Sequence, residues 1–344
     1  MDMKAERILI FNVNWLGDVL FSTAVIRNIR HNFPDSYIAC IIPARCYQVL
    51  KGNPHLDEII IFDEKDRHKG PLGLLNFAAR LRDKKFDLVF LLHRSFTRAL
   101  IARMAGIPQR IGYNVKRRGF LLTKKILQPH PDSLHRIDYY LNIIEQAGLK
   151  VEDRYADFFV DAKDAEFVEK FLEKNSARKG DFLVVLNPGG NWPLKRWPQE
   201  CWAALADRLI KELNAMAVIA GSYNDKSRVD SIIGSMREKP IIACDLLNLK
   251  QLAALARKAD LFITADTGPL HIANAVGTKL IIALFGPTSP ALTGPVPDKN
   301  VIIIQKDVGC KIPCYMTKCP DNRCMKAITV EDVMEKVRGI KEIR

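Results

Sequence analysis

No apolar run in this 344-residue chain approaches the length of about twenty residues that a membrane-spanning helix needs. The opening, MDMKAERILIFNVNWLGD, has a short charged lead followed by an apolar run of about seven residues, too short for a secretion signal. The expectation from that opening is a cytoplasmic protein. Low-complexity tracts and short-period repeats are also missing, which excludes solenoid and fibrous architectures. Gly-x-Gly-x-x-Gly, the fingerprint of dinucleotide sites, does not occur: Gly17 stands alone after the first hydrophobic run. Asp-x-Asp, the pattern expected of a metal-bridged diphosphate, is absent too. Carboxylates are in deficit, with Asp+Glu 39 against Lys+Arg 52 and a formal net charge of +13. That balance favours an anionic partner: a phosphorylated ligand, an anionic membrane surface or a nucleic acid.

The eight cysteines do not read as a disulfide framework in a chain expected to be cytoplasmic. Four are scattered. Cys310, Cys314, Cys319 and Cys324 form C-x3-C-x4-C-x4-C, enough thiols for zinc or an iron-sulfur centre, yet the spacing matches no standard C-x2-C pattern. No metal and no cofactor are therefore assigned.

The length exceeds what one hydrophobic core usually serves, and the pattern along the chain divides in two. Short β-branched runs alternate with segments of helical period: strands at 7–13, 37–42, 58–62 and 87–93, a helix over about 17–31 and another from Ser133 to Gln146. A polar crossing, KVEDRYADFFVDAKDAE, follows. The alternation then restarts with strands at 182–190, 215–221, 240–244, 260–266 and 279–286, and a last helix near 330–340. The fold class expected is α/β, two doubly wound Rossmann-like domains facing a cleft, residues 1–160 and 161–344, with the last helix placed to return to the first. Ligands of such sheets sit at strand carboxyl ends.

Four segments occupy such ends. In NVNWLGDVLFSTAVIRNIR, Asp18 stands where a strand and a Gly turn open into a helix; helix capping would by itself favour Asp there. In NPGGNWPLKRWP, Gly189 and Gly190 permit close backbone approach, and Lys195 or Arg196 is placed to meet a phosphate. In AGSYNDKSRVD, Asp225 follows a Gly turn and suits ribose hydroxyls, capping again being the plainer role. In FITADTGPLHIANAVGTKLIIALFGPTSP, a strand runs into Asp266-Thr267-Gly268, Pro269 opens a helix and His271 lies in its first turn, so uncommitted amides and the Thr267 hydroxyl form a site suited to a diphosphate. A second turn, Gly286 to Thr288, closes the next strand on the same sheet edge.

Together and in order, GDVLFSTAVIRNIR, NPGGNWPLKRWP, GSYNDK and ITADTGPLHIANAVGTKLIIALFGPTSP resemble the ADP-heptose:lipopolysaccharide heptosyltransferases of glycosyltransferase family 9, across nearly the whole chain. The resemblance implies the GT-B fold, a donor nucleotide sugar held mainly by the C-terminal domain, an inverting and metal-independent transfer of heptose from ADP-heptose to the lipopolysaccharide inner core, and cysteine-bearing tails of structural role. It implies that Asp18 is the general base, that Lys195 meets the donor diphosphate, that Asp225 stands where the family usually places a Glu or Asp on the ribose, and that Asp266, Thr267, Gly268 and His271 surround the phosphates and the transferred sugar. The acceptor implied is lipid A-Kdo or its heptosylated form, an anionic glycolipid at the inner face of the cytoplasmic membrane, where the protein would be peripheral.

Between Arg94 and Lys125 nine basic residues occur with no acidic one. This stretch is expected to form an anion-facing surface for the acceptor, with Arg94, Arg98, Arg117 and Arg118 as its contacts. Aromatic residues are sparse in it and no nucleic-acid-binding motif appears, so no nucleic-acid partner is assigned. Three rivals to this reading remain at the level of sequence: a related transferase with another nucleotide sugar, a basic nucleotide- or nucleic-acid-binding module without catalysis, and a redox protein built on the cysteine cluster.

Overall fold

The structure, a computed structural model, describes residues 4–130, 132–178 and 180–341. The chain divides into two compact units, up to Phe159 and from Val160 on. Each holds one six-stranded sheet, and every pairing in both is parallel. In the first unit the strands are β1 (Arg7–Phe11), β2 (Tyr37–Ile42), β3 (Glu58–Ile61), β4 (Leu88–Leu91), β5 (Gln109–Tyr113) and β6 (Lys124–Ile126). Their spatial order is β3-β2-β1-β4-β5-β6. In the second they are β7 (Phe182–Asn187), β8 (Ala215–Ile219), β9 (Ile241–Ile242), β10 (Leu261–Ala265), β11 (Ile281–Phe285) and β12 (Val301–Gln305), in the order β12-β11-β10-β7-β8-β9. Read from their first strands, the two sheets have one and the same doubly wound topology. The strand order reverses between β1 and β4 in one sheet and between β7 and β10 in the other, and a ligand crevice belongs at these switch points.

The central strands RILIF, LVFL, FLVVLN and LFITA are almost continuously apolar because helices cover both faces of the sheet. Leu9, Phe11, Val89 and Leu91 pack with Phe77, Leu81 and Ile101 in the first unit. In the second, Val184, Leu186 and Ile263 lie over Trp197, Trp202 and Leu205 on one face, while Val185, Phe262 and Ala283 lie over Leu255 and Leu270 on the other. The final helix, Val330–Lys341, places Val333, Met334 and Val337 in the core of the second unit, beside Trp202 of the helix Gln199–Leu213.

Several elements depart from the sequence expectations. The helix expected over 17–31 is two helices, Leu16–Phe21 and Thr23–Asn32, broken at Ser22, whose hydroxyl donates to the Val19 carbonyl (2.7 Å) and accepts from Asn12 Nδ2 (2.8 Å). The helices Gly70–Asp83, Phe96–Met104 and Ala162–Lys174, and the strands β5, β6 and β12, were not anticipated. Ala162–Lys174 begins inside the segment taken for a polar crossing. β5 and β6, QRIGY and KKI, lie in the basic stretch, where cationic side chains obscure the alternation. The strand expected over 240–244 shrinks to two residues after Pro240, which has no N–H to offer a ladder.

Candidate functional site

At the switch point of the second sheet, the loop leaving β7 carries Pro188-Gly189-Gly190 and the loop leaving β10 carries Asp266-Thr267-Gly268. The two meet: a Cβ built on Gly190 would stand 3.0 Å from Thr267 Cγ2, and φ of +154° there suits glycine. Gly189 is required for a different reason, since its Cβ would fall 2.6 Å from the Asp225 carboxyl carbon. Asp225 Oδ2 accepts from the Ser222 amide (3.0 Å) and hydroxyl (2.6 Å), closing a capping box around the turn Tyr223–Asp225. The Gly190 amide approaches Oδ1 at 3.3 Å. Asp225 thus performs the capping role weighed against ribose binding, and does so at the glycine loop.

Lys195 ends the short turn Pro193–Lys195, anchored by its neighbour Trp197, which is buried against Trp202 and donates from Nε1 to the Ile328 carbonyl (2.8 Å). From there the ammonium reaches Asp266 Oδ2 at 2.7 Å. Asp266 is almost wholly buried, and His271 Nε2 stands 3.6 Å from its other oxygen. Burial alone would raise the carboxyl, but the bond from His271 and the positive charge of Lys195 outweigh it and hold Asp266 well below the usual carboxylate range. Thr293, on the short helix after the Gly286–Thr288 turn, lies 3.4 Å from Asp266 Oδ2, and Gln305 ties that turn down through the Gly286 and Thr288 carbonyls. The helix Gly268–Ala275 opens at Thr267 with Pro269 in its first turn and without a side-chain cap. Lys195, Asp266, Thr267, Gly268 and His271 are therefore one constellation: a cation and a helix start arranged around a buried anion that already occupies the cation.

Asp18 belongs to the first unit, past the end of β1. The buried Asn12 side chain latches the loop by accepting from the Val13 amide (2.7 Å) and donating to Ser22. The helix begins at Leu16 with Trp15 in the N-cap position, so Asp18 lies in the first turn and is not the cap. Its carboxylate accepts from the Tyr140 phenol at 2.7 Å. Tyr140, from the helix Arg136–Gln146, is 5% exposed; burial and then the Asp18 charge raise its pKa well above the ordinary phenol value. The phenol therefore keeps its proton and is a fixed donor. Sequence reasoning missed Tyr140 because IDYYLNII reads simply as the apolar face of a helix.

The basic stretch is not a single anion-facing surface, and this corrects the sequence reading. Arg94 and Arg117 are exposed, but Arg98 is 3% and Arg118 0% exposed. Arg98 is paired with Glu64 (3.0 Å) and donates to Asn14 Oδ1 (3.0 Å). Arg118 donates to the carbonyls of Tyr113, His93 and Ser95, and burial lowers its pKa to about 10. Arg110 and Lys124 likewise bond backbone carbonyls, of Leu121 and Ala147. Four of the nine cations of the stretch are thus spent inside the protein, on Glu64 and Asn14 or on backbone carbonyls.

All eight cysteines carry free thiols, with Cys310 exposed and Cys314, Cys319 and Cys324 half-buried. Among the described residues no three His, Cys, Asp or Glu side chains are grouped so as to hold a metal ion, and no helix is long and apolar enough to cross a membrane.

Residues 74–323 match the model of glycosyltransferase family 9 (heptosyltransferase). The chain is 27% identical over 318 residues to lipopolysaccharide heptosyltransferase 2 of Escherichia coli, covering 86% of this chain and 87% of that protein. It is 30% identical over 315 residues to lipooligosaccharide heptosyltransferase 2 of Haemophilus influenzae, covering 86% and 88%. The crystal structure of a family 9 glycosyltransferase from Veillonella parvula superposes with a TM-score of 0.89 at 28% identity, over 97% of this chain and 96% of that one.

Proposed function

The chain belongs to glycosyltransferase family 9, the heptosyltransferases, and on that premise we propose how this GT-B glycosyltransferase moves a heptose from ADP-heptose to the inner core of lipopolysaccharide. The observation that carries the proposal is the Lys195–Asp266–His271 constellation at the start of the helix Gly268–Ala275. The second unit holds the donor and the first unit the acceptor, an anionic lipid A-Kdo glycolipid or its heptosylated form at the membrane surface.

Glycosyl transfer passes through an oxocarbenium-like state while negative charge accumulates on the leaving diphosphate. Asp18 accepts the proton of the acceptor hydroxyl; that oxygen bonds to the anomeric carbon from the face opposite the diphosphate; and the bond from this carbon to the phosphate oxygen breaks, its electron pair leaving with ADP. The configuration inverts. Lys195 and the Gly268 amide at the helix start receive the developing charge, and Lys195 exchanges the Asp266 carboxylate for a phosphate oxygen as donor enters. The Thr267 hydroxyl and His271 border the phosphates and the sugar, and Asp225 orders the glycine loop against which the ribose lies. Arg94 and Arg117 meet the acceptor's anionic groups.

Tyr140 is a positioning residue in this scheme. Its phenol occupies one oxygen of Asp18 and leaves the other for the acceptor hydroxyl. Asp18→Asn is expected to lower kcat by about 10² to 10⁴ while ADP affinity is kept. Tyr140→Phe is expected to lower kcat by about tenfold with the KM for donor unchanged, and to have no further effect in the Asp18→Asn background. Near-normal turnover in Asp18→Asn would remove Asp18 as the base.

A further inference from the structure

We infer that the loops at the carboxyl ends of β4 and β5 form a docking surface for an anionic lipid bilayer, with Phe96 and Phe120 as its apolar wedge. The inference rests on the reading that the acceptor is held in a membrane, and it assigns the surface that brings the enzyme there.

The two rings come from different elements. Phe96 is the first residue of the helix Phe96–Met104, and Phe120 is the middle of the short turn Gly119–Leu121. Their centroids are 6.0 Å apart, yet Phe120 remains 71% and Phe96 39% exposed. A single exposed apolar side chain is ordinary, whereas two rings brought together and left in water mark a contact surface.

The pair is presented rigidly. Buried Arg118 bonds the carbonyls of His93 and Ser95 on the loop leading to Phe96, and the Tyr113 carbonyl at the end of β5. One guanidinium therefore locks the two ring-bearing loops to each other. Gly119 lets the turn approach Asn114 closely: a Cβ there would stand 2.2 Å from Asn114 Oδ1 and would make that side chain turn away. Just before it, Lys116 and Arg117 have left-handed backbones, φ 53° and 57°, an uncommon conformation for consecutive non-glycine residues.

The rim is cationic. Arg94, two residues before Phe96, and Lys116 and Arg117, shortly before Phe120, are exposed on the same two loops, and residues 94–125 contain no carboxylate. Burial first, and then the positive charges of Arg98, Arg118, Lys116 and Arg94, push the His93 pKa down to about 3. Each basic residue near an anionic leaflet contributes about 1 kcal/mol, and a short apolar insertion supplies the second attachment that stable peripheral binding needs. Phenylalanine carries no hydroxyl or indole N–H with which to bond a sugar, so the rings suit the acyl boundary better than a glycan.

The test is sedimentation of the full chain with vesicles of phosphatidylcholine alone or mixed with phosphatidylglycerol. Binding is expected only to the anionic vesicles and falls as salt rises. Phe120→Ser is expected to lower the partition coefficient by about tenfold and Phe96→Ser/Phe120→Ser further, with ADP affinity and turnover on detergent-dispersed acceptor unchanged. Failure of the wild-type protein to pellet with anionic vesicles would overturn the inference, as would a double variant that pellets like wild type. Tight binding to single-stranded oligonucleotide in place of vesicles would overturn it too. Vesicle binding that depends on the rings, in a protein that transfers nothing to dispersed acceptor, would sink the acceptor reading and leave the docking surface standing.

Discussion

At the scale of residues, most of the constellation around Asp266 was legible in the sequence because those members are consecutive or nearly so. Asp266-Thr267-Gly268 with His271 follows a strand directly, and Lys195 lies in a loop whose tryptophans advertise an anchored turn. What could not be read was pairing across long separations. Lys195 meets Asp266 across 71 positions and Asp18 meets Tyr140 across 122, and no local pattern announces either bond. Asp266 also ties stability to pH. Its folded pKa is depressed, so its stabilising contribution is complete above the unfolded aspartate value of about 4 and is lost as pH falls through the lower folded value. In urea unfolding, the stability gap between wild type and Asp266→Asn is therefore expected to be full near neutrality and to shrink below about pH 4. A gap that stays constant into strong acid would contradict the Lys195 and His271 pairing.

At the scale of elements, buried parallel strands were readable from continuous β-branched runs, and the central strands of both sheets were found where expected. The edge strands β6 and β12 were not. β6 has two exposed lysines in three residues, and β12 has an exposed Ile303, so neither has the two-sided burial that writes a strand into sequence. The basic stretch failed for a related reason: composition counts cations without telling which ones point inward. Arg118 is the clearest case, a buried guanidinium whose Nε and Nη1 donate to backbone carbonyls at the ends of β4 and β5. Arg118→Met leaves three carbonyls, one buried and two half-buried, without their donor and is expected to destabilise the chain by about 2 kcal/mol in urea unfolding. A loss below about 0.5 kcal/mol would show that the loops hold each other without it.

At the scale of the whole molecule, the restart of the βαβ pattern near residue 180 announced two doubly wound units, and the structure gives both the same strand order with a division at Phe159. The repetition places one loaded switch point in each unit: a carboxylate with a protonated donor in the first, and a cation, a buried anion and a helix start in the second. That is a division of labour suited to activating an acceptor hydroxyl and stabilising a leaving diphosphate. The most direct test of this account is the mass of a lipid A-Kdo acceptor after incubation with the purified protein and either ADP-heptose or a UDP-hexose, in the presence of EDTA. The account predicts that the acceptor gains one heptose from ADP-heptose and nothing from the UDP-sugar; an acceptor extended only from the UDP-sugar, or left unchanged by folded protein that binds ADP, would contradict it.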